Sequence, residues 1–356
     1  MKWSLRIGRF FGIDLYLHVT FLVFLALVWY FTHESSLMIL AFFVAAFTCV
    51  TLHEYGHALT ARKFGIATHD ITLLPIGGVA RLHKMPDNPR QELLVAIAGP
   101  AVNLVIAAVL FVVCLAVGIH PWEELKGFSH GHGGLLVTLM GWNITMILFN
   151  MLPAFPMDGG RVLRAILAMN MNYAKATRWA ANVGKAMAFL FACFALYGEY
   201  FMLIIIAFFV WSGATQEAAV AEQKVALDGV RVRDAMITDF RRVSPDETSG
   251  TMAQLILAGW QTDFPVVHDG AVVGLVTWQD VIAGLNVGHT IAVSSFMRES
   301  APGCLPGDPL EEVLERMKEA GLPLLPVVEE GKLLGLVTPE NTVEFMAIRR
   351  ALEHRA

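Results

Sequence analysis

Charge is scarce in this chain, and so is cysteine. Of its 356 residues only 16% are Asp, Glu, Lys or Arg, while 56% are hydrophobic. A soluble globular protein carries about a quarter charged residues, so the chain as a whole does not read as an ordinary soluble fold. The deficit is local: residues 1–217 contain long apolar runs, and 225–356 have the composition of a soluble protein. The four cysteines (Cys49, Cys114, Cys193 and Cys304) are far apart and form no CxxC pair. That excludes a disulfide framework and a cysteine-built structural zinc site; they read as small buried hydrophobes. There is no basic tail, and the net charge is −5, so nucleic acid is not indicated as a partner. No small-residue cleavage site follows the first apolar run, which is therefore read as retained and not as a signal peptide.

What is present is a series of apolar segments of membrane-spanning length. Six spans are expected, at about 15–31, 37–61, 93–117, 133–152, 180–197 and 200–217. His18, inside the first, is expected to make a polar contact within the helix bundle. One set of connections carries Arg62, Lys63, Arg81, Lys84, Arg90, Arg161, Arg164, Lys175 and Arg178, and the opposite set only Lys126. By the bias of Lys and Arg toward the cytoplasm, the N-terminus, the 62–92 and 153–179 connections and the polar tail are expected to be cytoplasmic. The 62–92 connection holds Ile71-Thr-Leu-Leu-Pro-Ile-Gly-Gly-Val-Ala-Arg-Leu, a hairpin pattern whose edge could pair with an extended substrate strand. The histidines of 118–132 (His120, His130, His132) read as a solvated loop.

The second span contains His53-Glu54-Tyr55-Gly56-His57. On a helix His53 and His57 are one turn apart and share a face. Two imidazoles so placed can bind one zinc ion, with Glu54 beside them to act on a water; two satisfied core histidines are the alternative. Ionisable groups within a membrane segment are costly and default to function. Cys49 precedes His53 by one turn. At 1.5 Å per residue, His53 lies about 24 Å along a span entered from outside, in the cytoplasmic third of the bilayer.

The fourth span ends in Asn150-Met-Leu-Pro-Ala-Phe-Pro-Met-Asp158-Gly-Gly-Arg161. Two prolines three apart break a helix, and Asp158 follows the break on the same side as His57. A catalytic zinc takes three protein ligands and one open position; His53, His57 and Asp158 supply them. Glu54 would take the proton of the attacking water and pass it to the leaving amine. Asn150 is a candidate donor to the developing oxyanion, or else a cap on the broken helix. Between these segments, Gly99-Pro-Ala-Val-Asn103 opens the third span. Pro100 is expected in its first turn, Gly99 at a close helix approach, and Asn103 beside the metal helix.

With these motifs the chain closely resembles the site-2 protease family of intramembrane zinc metalloproteases: HEYGH at 53–57, GPAVN at 99–103 and NMLPAFPMDG at 150–159, in the family's order. The resemblance covers about residues 1–220. It implies cleavage of transmembrane protein substrates within or near the bilayer, usually in regulated intramembrane proteolysis after an earlier cut. It also implies that His53, His57 and Asp158 are zinc ligands, Glu54 the catalytic glutamate and Asn150 the motif asparagine.

The tail repeats itself at an offset of 61 residues: Pro265-Val-Val matches Pro326-Val-Val, and Gly274-Leu-Val-Thr277 matches Gly335-Leu-Val-Thr338. Each copy is expected to hold short strands and helices, such as 247–258 and 308–320, with the two copies packed face to face. The tail resembles a tandem pair of CBS domains. The resemblance implies that Thr277 and Asp280 contact the ribose of an adenine nucleotide (ATP, ADP or AMP). In the second copy Thr338 is followed by Pro339, and Asn341 replaces the aspartate, which weakens that half. Regulation by nucleotide and a purely structural or homodimer-forming pair both stay open.

The expected fold is thus a six-helix membrane domain with a small β-hairpin (1–220), followed by an α/β tandem CBS domain (221–288 and 289–350). The rival readings are a CBS-gated transporter and an inactive protease homologue.

Overall fold

The computed structural model describes residues 3–32, 36–75, 77–82, 86, 88–122, 134–299 and 303–353. It divides into two units, Met1–Ala221 and Glu222–Ala356.

The first unit begins with a sheet, so the helix expected from about residue 15 starts only at Val19. Strands β1 (Ser4–Phe10) and β2 (Ile13–His18) precede helix α1 (Val19–Thr32). Residues Ile13 and Leu15 alternate with more exposed ones along β2, the period of a strand. At 14 residues α1 is about 21 Å long, less than the ~30 Å hydrocarbon core. His18 ends β2, where its Nδ1 accepts from Thr20 N at 3.3 Å and lies 2.7 Å from Thr20 Oγ1. It serves the strand-to-helix junction and not the helix bundle.

The expected hairpin forms β3 (Thr68–Leu74) and β4 (Gly77–Leu82). The sheet order is β1-β2-β3-β4, with β2 parallel to β3. Asp70 faces Arg81 across the hairpin and accepts two hydrogen bonds from it. One sheet face, Ile13, Leu15, Ile71 and Leu73, packs on Tyr55 and Ala58 of α2 (Ser36–Lys63). The sheet therefore lies against the helix that carries His53 and His57.

Among the described residues five further helices follow: α3 (Pro89–Ala116), α4 (Leu135–Asn150), α5 (Asp158–Ala168), α6 (Tyr173–Gly198) and α7 (Phe201–Leu227). Among the described residues four helices are long and apolar enough to cross a membrane: Leu37–Lys63, Pro89–Ala116, Tyr173–Gly198 and Phe201–Leu227. The first and fourth expected spans correspond to the shorter apolar helices α1 and α4. Large apolar side chains such as Leu104, Val112, Leu148 and Phe208 point outward, as lipid-facing residues do.

Pro100 lies well inside α3 and not in its first turn, because the helix starts at Pro89 behind an Asn88 cap. Pro suits the first helical position, and that place is already filled. By sequence α5 belongs to a charged connection. It is a buried element instead, and its Arg164 donates to Glu92 at 2.7 Å and to Glu217 at 2.8 Å. Arg164 is thus a core charge, not a loop charge, and drops out of the Lys/Arg asymmetry. His130, His132, Lys84 and Lys126 lie outside the described residues; the His120 ring sits beside Trp122.

The second unit holds a three-stranded sheet of β5 (Phe264–His268), β6 (Ala271–Val276) and β7 (Arg298–Glu299), and a two-stranded one of β8 (Leu325–Glu329) and β9 (Lys332–Val337). Among the described residues five α-helices accompany them: α8 (Val232–Ala235), α9 (Ser249–Ala258), α10 (Trp278–Val287), α11 (Leu310–Ala320) and α12 (Pro339–Glu353). The hairpins β5–β6 and β8–β9 share register and irregularity, with Pro265↔Leu275 matched by Pro326↔Leu336. Leu275 of the first copy packs with Leu324 and Leu336 of the second. The cores interlock along the chain: Leu227, Val230, Val232 and Ala235 pack with the second copy, and Val293 with the first.

Candidate active site

Helix α2 places His53 and His57 one turn apart, and both are buried. The fourth helix stops at Asn150 because Pro153 and Pro156 cannot continue it. The chain then turns, and α5 begins at Asp158. Gly159 and Gly160 allow that turn: a Cβ on either would strike the backbone of Met151–Leu152 or Ala154–Phe155. The result brings three donor atoms together. His53 Nε2 and His57 Nε2 are 3.1 Å apart, and Asp158 Oδ2 is 3.1 Å from the first and 3.2 Å from the second.

This triangle fits a zinc ion. Bonds of about 2.0 Å in tetrahedral geometry require donor atoms about 3.3 Å apart, and a fourth position then faces away from the three. The chemistry of the donors agrees. The Nδ1 of His57 is 2.7 Å from Val95 O, a carbonyl that can only accept, so its proton sits on Nδ1 and the Nε2 lone pair turns to the centre. His53 Nδ1 is 2.6 Å from Asn103 Oδ1. A second partner on Nδ1 is the usual way to orient a metal-binding histidine. Among the described residues His53, His57 and Asp158 form the one group of this kind; Cys49 stays outside it, its Sγ 3.4 Å from Asn143 Nδ2.

A cavity of about 640 Å³ opens on this triangle. Its polar lining includes Glu54, Thr145, Asn150 and Arg161, and its wall is largely apolar, with Phe24, Phe43, Phe149 and Phe209. Strand β4 forms another wall through Gly77, Gly78 and Ala80. Gly78 lies so close to Glu54 that a Cβ there would meet Glu54 Cγ at 2.7 Å. All five residues predicted for this site are therefore brought together. Two were missed. Arg161 reads in the sequence only as a loop charge, although it follows Asp158 by three residues, the spacing of one helix face. Asn143 is a polar residue in an apolar run, the same signal that had drawn attention to Asn103.

In the tail, Thr277 and Asp280 cap α10. Asp280 Oδ2 accepts from Thr277 N at 3.0 Å and from Thr277 Oγ1 at 2.6 Å. Arg298 grips the same carboxylate through Nε at 3.0 Å and Nη2 at 3.3 Å. Asn341 differs: its Nδ2 donates to Ala235 O at 2.5 Å, a bond that an ionised aspartate could not make. A cavity of about 300 Å³ is lined by Thr277, Trp278, Arg298 and Lys318, but not by Thr338 or Asn341. Of the four predicted nucleotide residues, Thr277 alone lines this cavity.

An apolar helical unit with a buried His-His-Asp group, joined to an α/β tail of two repeats, is the build of a membrane metalloprotease with a CBS pair. The profile of Peptidase family M50 matches residues 41–129 and 124–191, and that of the CBS domain matches 232–286 and 293–347. The zinc metalloprotease MJ0392 of Methanocaldococcus jannaschii is 34% identical over 98% of this chain and 97% of its own length. Rip3 of Mycobacterium tuberculosis is 26% identical over 98% of this chain and 94% of its own. Among solved structures, a site-2 protease from Methanocaldococcus jannaschii is 37% identical, covering 61% of this chain and 95% of that one, with a TM-score of 0.45. The chain belongs to Peptidase family M50, the site-2 protease family of zinc metalloproteases, and carries a tandem CBS pair. The transporter and inactive-homologue readings are not favoured.

Proposed function

We propose that this chain is an intramembrane-cleaving zinc endopeptidase that hydrolyses transmembrane protein substrates within or near the bilayer, in regulated intramembrane proteolysis. The observation that carries the reading is the triangle of His53 Nε2, His57 Nε2 and Asp158 Oδ2 opening on a cavity beside Glu54. These three residues hold zinc, which when bound supplies Lewis-acid activation of water and of the scissile carbonyl. Glu54 accepts the proton of the attacking water and returns it to the leaving amine. Asn150, at the end of α4 and lining the same cavity, donates a hydrogen bond to the oxyanion. Strand β4 is the outer strand of its sheet and lies against Glu54. Its edge receives the substrate as an added strand, which requires the substrate helix to unwind.

The six apolar helices α1 to α4, α6 and α7 cross or enter the membrane, with the N-terminus and the CBS pair cytoplasmic. The membrane domain comprises residues 1–220 and the CBS domains 221–288 and 289–350. The pair regulates the protease, through an adenine nucleotide at Thr277 and Asp280 or through homodimer formation. Arg298 must then release Asp280 for a ribose to reach it; Thr338 and Asn341 contribute less, since Asn341 is engaged by Ala235.

The test is cleavage of a transmembrane peptide by the purified chain in detergent, wild type against Glu54→Gln. Loss of the proton-transfer group is expected to slow cleavage by at least about a hundredfold with zinc content unchanged. Undiminished cleavage by Glu54→Gln contradicts the assignment. Calorimetry of the full chain with ATP and with AMP tests the tail, and the absence of heat with both leaves the structural role.

A further inference from the structure

Three buried side chains on three different helices form a single hydrogen-bonded line that ends on His53. His53 Nδ1 lies 2.6 Å from Asn103 Oδ1, Asn103 Nδ2 lies 2.9 Å from Asn143 Oδ1, and Asn143 Nδ2 lies 2.9 Å from Leu139 O. His53 is 4% exposed and both asparagines 0%, so the line lies in the interior of the helices. We propose that Asn143 is a positioning residue of the metal centre: acting through Asn103, it decides which ring nitrogen of His53 carries the proton. The inference rests on the reading of His53, His57 and Asp158 as a zinc site.

Polarity fixes the sense of the line. An amide side chain has one accepting and one donating end, and in most settings either end can face either way. Here the far end of the line is a main-chain carbonyl, which only accepts. Asn143 must therefore point Nδ2 at Leu139 O, which turns its Oδ1 toward Asn103. Asn103 must answer with Nδ2, which turns its own Oδ1 toward His53. His53 must then hold its proton on Nδ1, leaving Nε2 as a bare lone pair aimed at His57 Nε2 and Asp158 Oδ2. Reversing any one amide sets two acceptors or two donors against each other in a buried place, at a cost of about 1–3 kcal/mol. The sulfur atoms nearby reinforce the same sense: Asn103 Nδ2 lies 3.4 Å from Met146 Sδ, and Asn143 Nδ2 lies 3.4 Å from Cys49 Sγ.

His57 needs no such relay, because its Nδ1 meets the carbonyl of Val95 directly. Pro100 belongs to the same helix as Asn103 and Val95, so one element serves both histidines. For His53 the fixed carbonyl sits two side chains away, on α4. Without the Asn143 oxygen, Asn103 is free to rotate and offer Nδ2 to His53. That favours the tautomer with a proton on Nε2, inside the triangle, where it must be removed before a cation binds.

The experiment uses the full-length chain in detergent. Zinc affinity is measured by competition with a chromophoric chelator for wild type, Asn143→Leu and Asn143→Asp, and the histidine tautomers of the zinc-free wild type and variants are read by side-chain ¹⁵N NMR. Asn143→Leu removes the anchor and is expected to weaken zinc binding by about tenfold or more, with His53 shifting toward the Nε2–H form. Asn143→Asp, protonated in this apolar setting, offers an O–H to Leu139 O and a carbonyl to Asn103, and is expected to stay close to wild type. An unchanged zinc affinity in Asn143→Leu, or a zinc-free wild type in which His53 Nδ1 carries no proton, overturns the inference. Should Asn143→Leu not fold, the wild-type tautomer and the Asn143→Asp affinity decide it. A folded wild type that takes up no zinc overturns the underlying metal assignment instead, and is told apart by that single measurement.

Discussion

Gly99 lies directly against the imidazole of His57, so that a Cβ at position 99 would overlap the ring. The same added carbon would come within 2.7 Å of His53 Cε1. Helices α2 and α3 thus approach as closely as they do here because position 99 has no side chain, and both imidazoles occupy the space a side chain would fill. Gly99→Ala is expected to displace the rings and weaken zinc binding by tenfold or more, on the order of the loss seen when a metal's supporting contacts are removed. Zinc competition on the folded variant checks it; wild-type affinity contradicts it.

Arg164 is buried with Glu92 and reaches Glu217 on a third helix, with the rings of Phe155 and Tyr173 about its guanidinium at 5.0 and 5.1 Å. Glu92 Oε2 has no hydrogen-bond partner among the described residues, and Oε1 takes its hydrogen bond from Arg164. Breaking a buried pair on one side costs about 3–5 kcal/mol. Arg164→Met is therefore expected to lower the melting temperature in detergent by many degrees. Glu92→Gln added to it is expected to recover part of the loss, since the uncompensated charge is then gone. A double variant no more stable than Arg164→Met contradicts the pairing.

In the second CBS copy the amide of Asn341 binds the carbonyl of Ala235. Asn341→Asp, which restores the residue type of the first copy, sets two acceptors against each other. It is expected to destabilise the second unit by about 1–3 kcal/mol, read as a lower midpoint in thermal unfolding of the full chain. An unchanged midpoint contradicts this role for Asn341.

Cys304 is buried in the core of the second unit, and burial pushes its thiol up from 9.0 to about 11. Alkylation of the folded chain at this position is expected to stay slow at pH 8 and to rise about tenfold per pH unit up to that value, because the thiolate is the reactive form. The linkage has a definite sign. Between about 9 and 11 the unfolded chain has lost a proton that the folded one keeps, so stability falls as pH rises through that window. Mass spectrometry of labelled peptides checks the first expectation, and urea midpoints at pH 8 and 10 check the second.

Much of the site was legible because its residues carry chemistry that apolar surroundings do not supply. A histidine pair at helical spacing, a glutamate between them and an aspartate behind two prolines are each costly in a membrane segment, and together they announce one centre. The hairpin was legible from Gly77-Gly78 between β-branched residues. Strand β2 was not, because Ile13, Leu15 and Leu17 are as apolar as the helix that follows, and hydropathy alone does not separate a two-residue period from a continuous run. Arg164 was misread for a related reason: a charge between spans looks solvated until its partners, Glu92 and Glu217, arrive from far along the chain. The CBS residues illustrate the reverse case. Thr277 and Asp280 match a binding pattern, yet in this structure they cap a helix and hold Arg298, a use that a spacing of three also serves.

The central claim is that His53, His57 and Asp158 hold one zinc ion, and zinc content tests it without knowledge of the substrate. Elemental analysis of the detergent-purified chain would compare wild type with His53→Ala, Asp158→Ala and Glu54→Gln. The account predicts about one zinc per chain in the wild type and in Glu54→Gln, and much less in the two ligand variants. A folded wild type that stays empty after incubation with zinc, or ligand variants that retain the full complement, would contradict it.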